Sequence, residues 1–134
     1  MSLTSAEQDL VAKEQPGRLA TVAPEGSPQN KPAGFRYDAG LGGIHIYGFG
    51  RETSATYRDI QVNPRVSFVI DGTVPGAEGA AGVRFLEIRG HAEPAADPAG
   101  PDGHQSRHFI RVRPRRMISW NVDPAEPGMR SRDV

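Results

Sequence analysis

Apolar and polar positions alternate with a period of two along much of the chain, and Gly, Pro and Asp clusters interrupt the alternation at short intervals. In "RLATVAP", Leu19, Thr21 and Ala23 fall on one face and Ala20 and Val22 on the other, and the turn "PEGSP" bounds the strand. "QNKPAGFRYD" predicts a second strand, with Pro32 marking an edge or bulge position. After the turn "AGLGG", "IHIYG" sets Ile44 and Ile46 against His45 and Tyr47. "RVSFVID" is the most apolar strand of the chain. "VRFLEIRGHAE" then alternates Val83, Phe85, Glu87 and Arg89 with Arg84, Leu86 and Ile88. "HFIRVRP" and "RRMISWNVD" supply one or two closing strands.

Two segments leave this period. Thr4 precedes Glu7 at capping-box spacing, which predicts a helix from Thr4 to Glu14 with Leu3, Leu10 and Val11 as an apolar face, ended by Gly17. In "GFGRETSATYRDIQVNPRV", Thr53 or Ser54 can cap a short helix that carries Tyr57 and Ile60 inward, and Asn63-Pro64 stops it. "GTVPGAEGAAG" and "PAADPAGPDGHQS" read as loops, and residues 124–134, "PAEPGMRSRDV", as a loose tail after a core of residues 4–123. Six or so short strands with connections too short for helical crossovers argue for a mainly β protein, a closed antiparallel barrel with a few short helices. With 134 residues, a single domain over residues 1–134 is expected.

Charge adds little to that picture. Sixteen basic and sixteen acidic residues cancel, so no whole-molecule field points to nucleic acid or an anionic membrane. Lys13 and Lys31 are the only lysines, the other basic residues being arginine. The absence of cysteine excludes disulfides, thiolate metal sites and cysteine nucleophiles. The polar N-terminal stretch is unlike a secretory signal and no apolar run reaches membrane-spanning length, so a cytoplasmic protein is the expectation.

Candidate chemistry is sparse in side chains. The four histidines show no metal-ligand spacing and read as surface or half-buried residues. Acidic residues are scattered, and Ser54, Ser67 and Ser119 lack a nucleophile-elbow context. Any reaction is therefore expected to belong to a cofactor. The arginines at 111, 113, 115 and 116, with Phe109 and Trp120 nearby, match strands that bind single-stranded nucleic acid. A zero net charge favours reading them as a solvent face instead. The segment from Gly48 to Arg58 has better physics for a ligand. Amides at a helix start favour an anion, Ser54 and Thr56 add hydroxyls, and Arg51 and Arg58 can form charge-assisted bonds to phosphate.

In order, "GRLATVAPEGSPQNKPAGFRYD", "IYGFGRETSATYRDIQVNPRVSFVID", "VRFLEIRGHAE" and "IRVRPRRMISW" resemble the pyridoxamine 5′-phosphate oxidase-like split β-barrel family. Within it, they are most similar to the branch that uses the deazaflavin coenzyme F-420. The resemblance covers about residues 4 to 123. It implies a homodimer with the cofactor in a groove between subunits, a small-molecule substrate, and neither nucleic acid nor membrane as partner. Asn30, Lys31, Pro32 and Ala33 would then run beside the ring system, with Gly48 and Phe49 shaping the floor. Arg51, Ser54, Thr56 and Arg58 would hold the phosphate, and residues near Trp120 of the partner chain would close the groove. Relatives commonly place a lysine where this chain has Thr56. The activity implied is hydride transfer from the reduced coenzyme to an electrophilic or conjugated small molecule, with no catalytic side chain and no metal. FMN as the cofactor, or a non-catalytic flavin- or deazaflavin-binding protein, are the alternatives.

Overall fold

The capping signal at Thr4 is realised in full. Its amide donates to Glu7 Oε1 at 2.8 Å and the Glu7 amide donates to Thr4 Oγ1 at 3.2 Å, starting α1 (Ser5–Lys13). The computed structural model describes residues 3–40, 43–48, 54–96 and 108–134. Its strands are β1 (Gly17–Val22), β2 (Pro28–Ala33), β3 (Phe35–Asp38), β4 (Gly43–Ile46), β5 (Arg65–Thr73), β6 (Val83–Ala96), β7 (His108–Trp120) and β8 (Met129–Asp133). A second helix, α2 (Ala55–Val62), joins β4 to β5, and a 3-10 turn (Gly79–Gly82) precedes β6.

All pairings are antiparallel, in the order β2-β1-β5-β6-β7-β4-β3, with β8 pairing Arg116–Trp120 of β7 beyond the stretch that β4 occupies. The expected continuous strand "QNKPAGFRYD" is broken at Gly34. Ala33 pairs with Gly17 while Phe35 pairs with Ile46, so its two halves lie at opposite ends of the strand order. A single residue joins those ends, and consecutive Cα atoms are about 3.8 Å apart. The sheet must therefore curl until its edges meet at Gly34, which makes the split barrel.

The inward face of the curl is aliphatic. Leu19, Phe68, Ile70, Leu86, Ile88, Ile44, Ile46, Ile110 and Met117 are each at most 1% exposed, and burying a side chain of this size contributes roughly 1.5–3 kcal/mol. Gly17 is required there, because a Cβ would strike the Phe68 ring. Leu3, Leu10 and Val11 of the α1 region and Tyr57 and Ile60 of α2 join this core. The apolar residues of β5 and β6 are thus consumed within the chain, and Ser67, Val69, Phe85 and Glu87 are left half-buried on the outer face.

Several expectations need correction. Residues 124–134 are not a loose tail. β8 pairs with Arg116–Trp120, Arg132 makes twin 2.6 Å bonds to the buried Glu7 carboxylate, and Arg116 reaches Asp133 at 2.6 Å. Charge rather than apolar periodicity holds this strand. β6 continues through Ala96 into the segment expected as a loop; of the one or two closing strands expected, β7 crosses Pro114 as one. Among the described residues, no helix is long and apolar enough to cross a membrane.

Candidate functional site

The start of α2 is built by Ser54, whose Oγ accepts from the Tyr57 amide at 3.1 Å. Tyr57 and Ile60, three apart, bury one face of the helix. Asn63, which precedes Pro64, is extended and ends it. Thr56 lies in the first turn and is 4% exposed. Its Oγ1 accepts from Lys31 Nζ at 3.4 Å, so β2 delivers an ammonium to the first turn of α2. Arg58 is exposed on the same helix. Gly48, just after β4, has φ +97, a conformation that glycine adopts without strain. Phe49, Arg51 and Thr53 lie outside the described residues.

The expected ring-side residues divide between the two faces of β2. Lys31 and Ala33 pair with Leu19 and Gly17 and share their inward face. Asn30 and Pro32 are exposed and pair with Ala20 and Arg18 on the outer face. β2 ends the strand order, so among the described residues one edge of it is unpaired. Trp120 is not brought to this place within the chain. It closes β7 opposite Phe85, and its Nε1 donates to the Ala80 carbonyl at 3.0 Å.

On the outer face, Asn30 lines a hollow of about 250 Å³ with Arg18, Ala20, Ser67, Val69, Phe85 and Glu87. The Glu87 carboxyl is held below the ordinary carboxylate range, chiefly by Arg89 at 2.9 Å and also by Ser67 at 2.6 Å, against the upward push of burial. Next to this hollow the ladder of β6 and β7 carries a bulge. Arg89 pairs with Arg116 and Gly90 with Pro114, so Arg115 is the extra residue. Gly90 and Pro114 are the sequence signal that could have located it.

The arginine-rich strand is largely neutralised. Arg111 and Arg113 contact Glu93 at 3.2 and 2.8 Å, and Arg116 contacts Asp133. Burial pushes the Glu93 carboxyl up, but Arg113 and Arg111 outweigh it and leave the group below its ordinary value. His45, expected at or near the surface, is 2% exposed. The Phe109 ring covers it at 4.5 Å and Arg111 Nε reaches its Nε2 at 3.4 Å, so both faces of β4 are buried. Among the described residues no group of three or more His, Asp or Glu could hold a metal ion.

Comparison with known proteins fits this geometry. The family model for pyridoxamine 5′-phosphate oxidase matches residues 3–131. A 5a,11a-dehydrotetracycline/5a,11a-dehydrooxytetracycline reductase of Streptomyces rimosus subsp. rimosus is 34% identical over 137 residues, spanning 100% of this chain and 94% of that protein. A solved F-420 reductase superposes with a TM-score of 0.59 at 28% identity, covering 80% of this chain and 91% of its own. The heme storage protein HutZ from Vibrio cholerae shares the fold, with a TM-score of 0.63 at 18% identity over 97% of this chain and 94% of its own. A curled antiparallel sheet whose edges meet at Gly34, matched almost end to end by the family model, establishes that the chain belongs to the pyridoxamine 5′-phosphate oxidase family.

Proposed function

We propose that the protein is an oxidoreductase that binds the deazaflavin coenzyme F-420 and passes a hydride to a small electrophilic or conjugated organic molecule. The observation that carries the reading is the Lys31 ammonium against Thr56 in the first turn of α2. A phosphate there meets a cation, the hydroxyls of Ser54 and Thr56, and the amide end of a helix, a donor set suited to an anion. The residues present therefore fit the group. Thr56 removes the lysine of the relatives, and Lys31 restores the charge from the neighbouring strand.

The coenzyme, when bound, supplies the hydride chemistry. The chain's part is to anchor the phosphate through Lys31, Ser54 and Thr56 and to offer the edge strand β2, with Asn30 and Pro32, as a bed for the ring system. Fixing the reacting partners and excluding water lower the barrier without a nucleophilic side chain. Similarity to a dehydrotetracycline reductase and to an F-420 reductase supports the reductase direction and the deazaflavin over FMN. A second copy of the chain, bringing its Trp120 end to the groove, completes the site as a homodimer. The test is titration with coenzyme F-420 and with FMN, alongside light scattering. Tighter binding of the deazaflavin by a dimer is expected. Preferential FMN binding moves the protein to an FMN-dependent oxidase or reductase, and no binding of either cofactor overturns the reading.

A further inference from the structure

The outer face of the sheet carries a second, larger concavity of about 450 Å³, which runs from Pro28 on β2 across to Arg115 on β7. That volume lies within the roughly 300–1,000 Å³ of small-ligand pockets. Its floor is aliphatic, made by Ala20 and Val22 with the buried Val66 beneath them, and its rim carries the guanidiniums of Arg65, Arg89 and Arg115 and the His91 ring. Arg89 is occupied by Glu87 at 2.9 Å. Arg65 and Arg115 have no carboxylate partner among the described residues; the nearest polar contact of the Arg115 guanidinium is His91 Nδ1 at 3.4 Å.

Arg115 stands at the bulge opposite Arg89 and Gly90. Arg115 keeps the outward alternation of Arg111 and Arg113, and as the extra residue of β7 it has no residue opposite it on β6. Gly90 makes the arrangement possible, because a Cβ at that position would run into the Arg113 carbonyl. The cleft also shares Ala20 and Ser67 with the hollow that holds Asn30, so the two spaces adjoin along β1 and β5.

We propose that this cleft takes an organic acid, with a flat apolar body on Ala20, Val22 and Val66 and its carboxylate between Arg65 and Arg115. Two guanidiniums without a carboxylate partner among the described residues, over an aliphatic floor, are complementary to that one class of ligand. Naming the bound acid as the substrate rests on the oxidoreductase reading above. On that reading the acid gains a hydride at one carbon of its conjugated double bond and a solvent proton at the other, as the reduced coenzyme is oxidised.

The probe is 2-naphthoate, with 2-naphthamide as its neutral isostere, followed through backbone amide shifts of the full-length protein. Naphthoate is expected to shift Ala20, Val66 and His91, and to bind about tenfold or more tightly than the amide, the scale of a charge-assisted hydrogen bond. The Arg65→Gln, Arg115→Gln double variant should lose that preference, and Arg115→Glu should reverse it. Both arginines are exposed, so an unchanged unfolding midpoint certifies the variants. Equal binding of acid and amide overturns the proposal. So do shifts confined to Lys31 and Thr56, or amides at Ala20, Val66 and His91 that stay silent because a second copy covers them. The titration needs no coenzyme, so a failure of coenzyme binding leaves its result standing.

Discussion

Replacing Lys31 by Met keeps most of the side chain's length and apolar stem and removes only the ammonium that lies 3.4 Å from Thr56 Oγ1. If that ammonium meets the coenzyme phosphate, its loss removes a hydrogen bond to a charged group, worth about 1.5–3 kcal/mol. At about 1.4 kcal/mol per factor of ten, coenzyme F-420 should bind roughly ten- to 150-fold more weakly. Thr56→Lys in the unaltered protein brings two ammoniums within a few ångströms of each other, a repulsion of about 1 kcal/mol in water and up to about 4 kcal/mol near a protein surface. Its gain in affinity is therefore smaller than a lone lysine would give. In the Lys31→Met background that repulsion is absent, and Thr56→Lys should restore most of the lost affinity. The two substitutions are thus expected to be strongly non-additive, with the double variant close to the parent. Calorimetric or fluorescence titration of the four proteins at one fixed ionic strength measures the cycle. If Lys31→Met binds as tightly as the parent, or if Thr56→Lys fails to rescue it, the transposed cation is not what holds the phosphate.

Other expectations concern the scaffold and the charges around it. Burial pushes the Glu7 carboxyl up, but Arg132 and the Thr4 amide and hydroxyl outweigh it and hold the group below its ordinary value of 4.5. The stability it contributes is therefore full above that ordinary value and is lost as pH falls through the lowered one. Urea midpoints of Glu7→Gln and the parent should differ at neutral pH and converge as pH falls through that lowered value. Arg132→Met, which frees β8 from α1, should cost about 1–2 kcal/mol, discounted for the partly exposed guanidinium, and a thermal melt reads it. Gly90→Ala forces a Cβ against the Arg113 carbonyl and should cost about 1–3 kcal/mol or more, with shifts concentrated along β6 and β7 in an amide spectrum. Single-stranded DNA or RNA should show no binding at physiological ionic strength, because Glu93 and Asp133 already engage Arg111, Arg113 and Arg116. Tight binding in a filter or anisotropy assay, lost on replacing Arg113 and Arg115, would reverse that assignment.

The strands that sequence periodicity locates are those whose two faces meet different surroundings. β1, β5 and β6 each bury one face in the core and leave the other to solvent, and their alternation is plain in Leu19, Phe68, Leu86 and Ile88. β8 gives no such signal, since "MRSRD" is held by ion pairs to α1 and β7 instead of by apolar burial. β4 misleads in the opposite direction, because a ring from β7 covers the side of His45 that alternation assigns to water. The same reasoning accounts for the site. Ser54 and Thr56 are near neighbours in sequence and their capping role is local, so it can be read from the chain. The meeting of Lys31 with Thr56 spans a turn in space and depends on β2 lying at the sheet edge, which only the closure at Gly34 fixes. Arg115 is harder still. Alternation places it on the outer face, but not its meeting with Arg65, Arg89 and His91 around one cleft, which depends on how β5, β6 and β7 pair. Arg65 and Arg115, given a ligand role here by tertiary placement, carry charges that one-dimensional pattern reading assigns to the solvent.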